Sequence, residues 1–286
     1  MPGHSEQPVV THQCLTLQWQ MTSHIRYHIG FGPDDIDGID VAILCGDPGR
    51  AERVAREHLT FDKTLSTNRA LNSYVGRTPG GRRVVSATSG MGAPSTSIVV
   101  NELAQVGIRH IIRVGTCGSI QPHVKTGSVV ISRASLCRQG AADDIAPKEY
   151  PAAASPFWTL ALAEAAKNLG MDWHVGLTAS VDTFYEGQER TETSYNHTLI
   201  PSRRGLIESY KALRVLNFEM ESGTLFKMAN AYGLGAACIA AVVASRDEAE
   251  SVAVEAKAQA ESDAIRAAVA AIDSIDPSWL DTHYRW

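Results

Sequence analysis

Residues 41–59 read VAILCGDPGRAERVAREHL, and this stretch decides the fold. Val41–Cys45 is a continuous apolar run of strand length, the pattern of a strand covered on both faces. Gly46, Asp47, Pro48, Gly49 and Arg50 follow as a turn, and Arg50–Leu59 carries apolar residues at helical spacing. A buried strand that turns sharply into a helix is the repeating unit of an α/β protein.

The same alternation runs along the chain. Further short apolar runs at Val84–Ser89, His110–Gly115, Ser128–Ser132, His174–Ser180, Val215–Met220 and Ala236–Ser245 read as strands. Ser97–Val106, Pro156–Leu169, Glu221–Tyr232 and Val252–Ile272 read as helices. The pattern predicts a central, largely parallel or mixed sheet with helices on both faces. No internal repeat and no Pro/Gly/Ser linker divides it, so residues 25–275 are expected to form one domain. Residues 1–24 read as a mobile extension and residues 276–286 as a tail.

The 286 residues allow one large α/β domain or about two smaller ones. With 44% hydrophobic and 20% charged residues, a disordered or collagenous chain is excluded. A formal net charge of -5 and the lack of a basic run argue against nucleic acid as partner. No stretch approaches the roughly 20 apolar residues of a membrane helix and residues 1–20 lack a leader pattern, so a cytoplasmic protein is expected. The five cysteines, with no Cys-x-x-Cys pair, argue against a disulfide framework or thiolate zinc site.

In open α/β sheets ligands bind beyond strand ends, so four such places matter. At Gly46–Arg50, a glycine lets backbone approach a ligand while a helix start and Arg50 offer positive charge; a solvated turn is an equal alternative. Gly90–Thr96 imitates a dinucleotide fingerprint, but Ser95 replaces the third glycine and no acid occurs from Leu103 to Ala142, which excludes NAD. Its amides remain a possible anion cradle. Arg113, inside an apolar run and followed by Gly115, Thr116 and Gly118, demands an anion or carboxylate, because an unmet buried guanidinium is expensive. A ligand anion is favoured there over an internal salt bridge. In Asn217–Glu221 the period of two sends Glu219 and Glu221 to one side, where a carboxylate can accept from vicinal sugar hydroxyls. A glycosidase pair or two solvated glutamates are the alternatives.

Two weaker features complete the survey. His24 and His28 have helical metal-pair spacing, but no His-Glu-x-x-His motif accompanies them and no metal is expected. Gln188 and Arg190 beside Phe184 could hydrogen-bond and stack on a planar base, although a polar loop would look the same.

Taken together, GDPGR at 46–50, Asn68 and Arg69, the Gly92–Ser97 loop, RVGTCGSIQP from Arg113, DTFYEGQER from Asp182 and NFEMES from Asn217 resemble the nucleoside phosphorylase superfamily, most closely the uridine phosphorylases. The resemblance runs in order from His28 to about Arg246. It implies a three-layer α/β/α fold with a twisted mixed sheet, and reversible phosphorolysis of uridine to uracil and ribose 1-phosphate in pyrimidine nucleoside salvage. It also implies a homodimer, or a hexamer of dimers, with shared sites.

By the same resemblance Gly46, Arg50, Arg113 and Thr116 bind phosphate together with the partner's Arg69. Thr116, Met220 and Glu221 hold ribose with the partner's His28 at the 5′ hydroxyl, and Phe184, Gln188 and Arg190 bind the base. Arg113, Arg190 and Gln188 are the groups expected to act in catalysis. Phosphate is a substrate, and no cofactor is expected. Ala70 stands where many bacterial relatives have a glutamate that binds a monovalent cation, which puts that site in doubt. The purine-cleaving relatives' aspartate is matched here by Val243, Ala244 and Ser245, none of them an acid. A nucleosidase using water, or a non-catalytic nucleoside-binding protein on the same fold, are the rival readings.

Overall fold

The computed structural model describes residues 24–246 and 254–280; the expectation of a mobile extension before residue 24, Cys14 and the last six residues lie outside it. Nine strands form one mixed sheet. In chain order they are β1 (Val41–Cys45), β2 (Thr60–Ser66), β3 (Ser73–Arg77), β4 (Arg83–Thr88), β5 (His110–Ser119), β6 (Val129–Arg138), β7 (Trp173–Val181), β8 (Val215–Glu219) and β9 (Gly235–Ser245). The helices are α1 (Pro33–Ile36), α2 (Pro48–Arg53), α3 (Ala93–Val106), α4 (Gly140–Asp143), α5 (Pro156–Asn168), α6 (Leu206–Ala212), α7 (Ser222–Tyr232) and α8 (Val254–Ser274).

Both faces of the sheet are covered, as the continuous apolar run of β1 predicts. Val41, Ile43 and Cys45 join a core with Trp158 and Leu162 of α5 and Ala264, Ala268 and Ile272 of α8. Ala42 and Leu44 point the other way, into a core with Val99 and Leu103 of α3 and Leu225 and Phe226 of α7. The three-layer α/β/α arrangement is thus a direct consequence of the period of two in a strand.

The order β2-β3-β4-β1-β5-β8-β7-β6-β9 has one more link, because β5 also pairs in parallel with β9. Strands β5, β8, β7, β6 and β9 therefore close on themselves, and β1, β4, β3 and β2 extend from β5. The length of β5 makes this possible: His110–Val114 run beside β1, while Gly118 and Ser119 pair antiparallel with Phe218 and Asn217 of β8. Arg113 and Glu219 are brought together by this crossing.

Several boundaries differ from the sequence reading. β5 continues four residues past Gly115, and β6 runs on to Arg138 across an irregularity at Ser132/Ala134. α2 begins at Pro48, where the Asp47 carboxylate accepts from the Arg50 amide at 2.6 Å, and passes into a wide helical turn over Val54–His58. β2 is invisible in the sequence because it is a solvent-facing edge strand with mostly polar residues, TFDKTLS; β3 is buried, but SYVGR holds only two large apolar side chains, Tyr74 and Val75, too short a run to register. Within the C-terminal tail, Pro277–Trp279 form a helical turn and the Trp279 ring packs on Phe157 of α5 with centroids 5.5 Å apart. Among the described residues no helix is long and apolar enough to cross a membrane.

Candidate active site

Arg113 is 4% exposed on β5 and meets two carboxylates. Its Nε donates to Glu219 at 3.2 Å and its Nη2 donates to Glu221 in a short ion pair. Burial alone would favour the neutral guanidine, but Glu221 and Glu219 reverse this and hold the charge, raising the pKa above its usual value. The internal carboxylates that the sequence reading weighed as an alternative are therefore present. They do not satisfy the whole group: Nη1 is buried with no partner among the described residues. A Cβ added to Gly46 would lie 3.7 Å from that nitrogen, so the Gly46 turn faces the unmet donor.

The two glutamates have different duties. Glu219, at the end of β8, accepts from the Glu221 amide and from the Ser222 amide and hydroxyl, which fixes the start of α7 as well as Arg113. Glu221 accepts from Gly92 at 2.6 Å and from Arg113, and burial pushes its carboxyl above the usual range while Arg113 opposes the shift. The Gly90–Thr96 turn, expected to offer amides to a ligand anion, thus directs its Gly92 amide at an internal carboxylate. Met220 lies between the glutamates, and its carbonyl accepts from Gln139 at 2.5 Å.

Arg50 is buried in the first turn of α2, where its Nη2 donates to Glu261 of α8 at 3.1 Å and its Nε has no partner among the described residues. Glu261 also pairs with Arg53. Thr116 sits half-buried on β5, three residues beyond Arg113. Gln188 and Arg190 are both buried, with Arg190 Nε 3.3 Å from Gln188 Oε1 and its guanidinium 4.1 Å above the Phe184 ring.

His28 and Arg69 occupy a different place. His28 Nδ1 lies 2.6 Å from Glu102 of α3, whose carboxylate also accepts from the His28 and Ile29 amides. Asn68 donates to the carbonyls of Tyr27 and His28. Arg69 and Ala70 both have positive φ, 54° and 60°, and Arg69 is exposed, lying over the Tyr27 ring at 5.7 Å. Gly30, at φ 75°, permits the close approach: a Cβ there would come within 2.3 Å of Ser66 Oγ.

Residues 40–275 match the family described as Phosphorylase superfamily. The chain belongs to this superfamily. It is similar to proteins named uridine phosphorylase from Salmonella typhimurium and Escherichia coli, each 42% identical over 247 residues, 86% of this chain and 96% of the relative. A uridine phosphorylase from Thermococcus kodakarensis is 39% identical over 229 residues, 79% of this chain and 80% of that protein.

Within this superfamily chain, four contributors escaped sequence reasoning as partners: Glu102, Glu261, Gln139 and Arg246. Glu102 and Glu261 belong to no motif, and only a polar residue at a buried helix position signals either. Arg246 ends the apolar run of β9 and donates to the Gln188 and Glu189 carbonyls at 3.2 and 3.4 Å.

Proposed function

We propose that the chain catalyses reversible phosphorolysis of uridine, giving uracil and ribose 1-phosphate. The reading rests on the relatives' names together with one observation: a buried Arg113 that, among the described residues, keeps an unpartnered donor beside Gly46 while its other edges bind Glu219 and Glu221. Such a donor fits an anion, and Arg50 Nε supplies a second unmet donor. Gly46, Arg50, Arg113 and Thr116 form the phosphate site, with Arg69 from the partner subunit.

Phosphate is the nucleophile, so no covalent enzyme intermediate is required. It attacks the anomeric carbon as the glycosidic bond lengthens; the sugar gains oxocarbenium character and the uracil gains negative charge. The arginines hold phosphate below the ring and turn a bimolecular attack into a positioned one. Glu221 and Met220 hold the ribose, Glu221 accepting from its vicinal hydroxyls. Gln188 and Arg190 aim donors at the uracil oxygens, stabilisation that grows toward the transition state, and Phe184 packs on the base. The Arg190 bond leaves one lone pair of Gln188 Oε1 for the N3–H of uracil.

The active species on this reading is an oligomer with two-fold interfaces. On this reading His28, held by Glu102, reaches the 5′ hydroxyl in a second copy.

Incubating the protein with uridine, with and without phosphate, tests the proposal. Uracil and ribose 1-phosphate are expected with phosphate only. Free ribose without phosphate would establish hydrolysis, and no turnover would leave a binding protein.

A further inference from the structure

The ribose turn and the base loop come from distant parts of the chain, yet a third segment bonds to both. Gln139, 1% exposed at the end of β6, donates from Nε2 to the Met220 carbonyl at 2.5 Å. Its Oε1 accepts from the Thr224 amide at 2.8 Å and the Thr224 hydroxyl at 2.9 Å. The Gln139 amide group thus clasps both sides of Glu221. The next residue, Gly140, donates its amide to Asp182 at 2.8 Å, and Asp182 leads directly into Thr183, whose hydroxyl accepts from Gly187 in the loop that carries Gln188.

The seat beneath this clasp is tight. A Cβ on Gly223 would come within 2.7 Å of Cys137 Sγ and 2.9 Å of Gln139 Oε1, so glycine is needed for α7 to approach the end of β6. One turn later Lys227, 1% exposed, spends its ammonium on the Pro147 carbonyl at 2.7 Å and lies 3.8 Å from Asp143. A buried lysine is tolerated only with such partners, and it anchors the strap that follows Gly140 to the same helix face.

We infer that Gln139 is a positioning residue that, with Asp182, locks the sugar-reading turn to the base-reading loop. This rests on the uridine phosphorolysis reading. Gln139 touches no reacting atom; its three side-chain hydrogen bonds set where Met220 and Glu221 stand, and the Gly140–Asp182 bond transmits that placement to the loop. Since an amide can satisfy a carbonyl and an amide N–H together, an apolar residue of similar size preserves packing but unties the clasp.

Native activity on uridine with phosphate is measured first, which separates failure of the functional reading from failure of this one. Gln139→Leu is then expected to lower kcat/KM for uridine about 10-fold and for 2′-deoxyuridine less than about 3-fold, since Glu221 reads the missing hydroxyl. Gln139→Glu gives a second test in one folded protein. Protonated, the acid donates to Met220 and accepts from Thr224; ionised, it repels the Met220 carbonyl, so its activity relative to native should fall as pH rises. Combined with Asp182→Ala, the Gln139→Leu loss should be smaller than the product of the single losses. Equal losses for both nucleosides, a pH-independent Gln139→Glu ratio, or losses that multiply would each overturn the inference. If Gln139→Leu does not fold, the pH ratio of Gln139→Glu decides it.

Discussion

Arg113 and Glu221, 108 residues apart in the chain, form a buried ion pair while one guanidinium nitrogen of Arg113 has no partner among the described residues. Removing the arginine therefore has two consequences. Arg113→Ala should lower turnover about 100- to 1,000-fold, the scale for losing one preorganised donor. It also leaves Glu219 and Glu221 buried without their cation, a cost of about 3–5 kcal/mol. The variant should fold, with a clearly lowered Tm. Steady-state kinetics at saturating phosphate and a thermal melt check both; near-native turnover would remove Arg113 from the phosphate site.

Glu221→Gln replaces an ionised acceptor by an amide with one acceptor oxygen. Uridine should lose more than 2′-deoxyuridine, and KM for phosphate should change less than KM for uridine. Specificity constants for the two nucleosides are the readout, and equal losses would contradict hydroxyl binding.

Shared sites have a quantitative signature. Random mixing of inactive His28→Ala and Arg113→Ala chains gives about half mixed dimers, each with one intact site, hence about a quarter of native activity. Recovery of none, after subunit exchange is verified by mass spectrometry, would place His28 outside the site.

The base site should prefer uridine to cytidine, inosine and adenosine. Cytidine would set its amino group against the Arg190 donors, and unmatched buried polar groups can cost about 10,000-fold in discrimination. Purines find no acid at Val243, Ala244 or Ser245. Competition assays across these nucleosides and thymidine check the order, and cytidine or a purine nucleoside at the top would refute it.

Stability should carry a pH signature from His110. Its Nδ1 accepts from Trp158 at 3.2 Å, and burial lowers its pKa. The unfolded chain takes up a proton below about pH 6.5 while the folded chain resists it, so stability is full above that value and falls as pH drops toward the folded pKa. His110→Asn keeps an acceptor without titrating. Its Tm should fall less than the native Tm between about pH 7.5 and about pH 5.5; parallel falls would assign the effect to other groups.

The continuous apolar runs of β1 and β9 and the helical spacing of α3, α5 and α7 were legible because each is a local pattern with its own period. The Gly46–Arg50 turn and the cost of burying Arg113 were legible for the same reason, since steric freedom and desolvation belong to single residues. What covers Arg113 was not. Glu219 and Glu221 meet it because β5 is long enough to cross from β1 to β8, and that length is set by the closing of five strands rather than by the apolar pattern, which fades after Gly115. His28 with Glu102, 74 residues away, and Arg50 with Glu261, 211 residues away, are likewise products of how helices lie on the sheet. The edge strand β2 stayed hidden because a strand facing solvent needs no apolar side chains. Sequence thus determined which groups require partners, through the price of burial; tertiary structure alone decided which partners meet them, because side chains so far apart in sequence become neighbours only when the sheet closes.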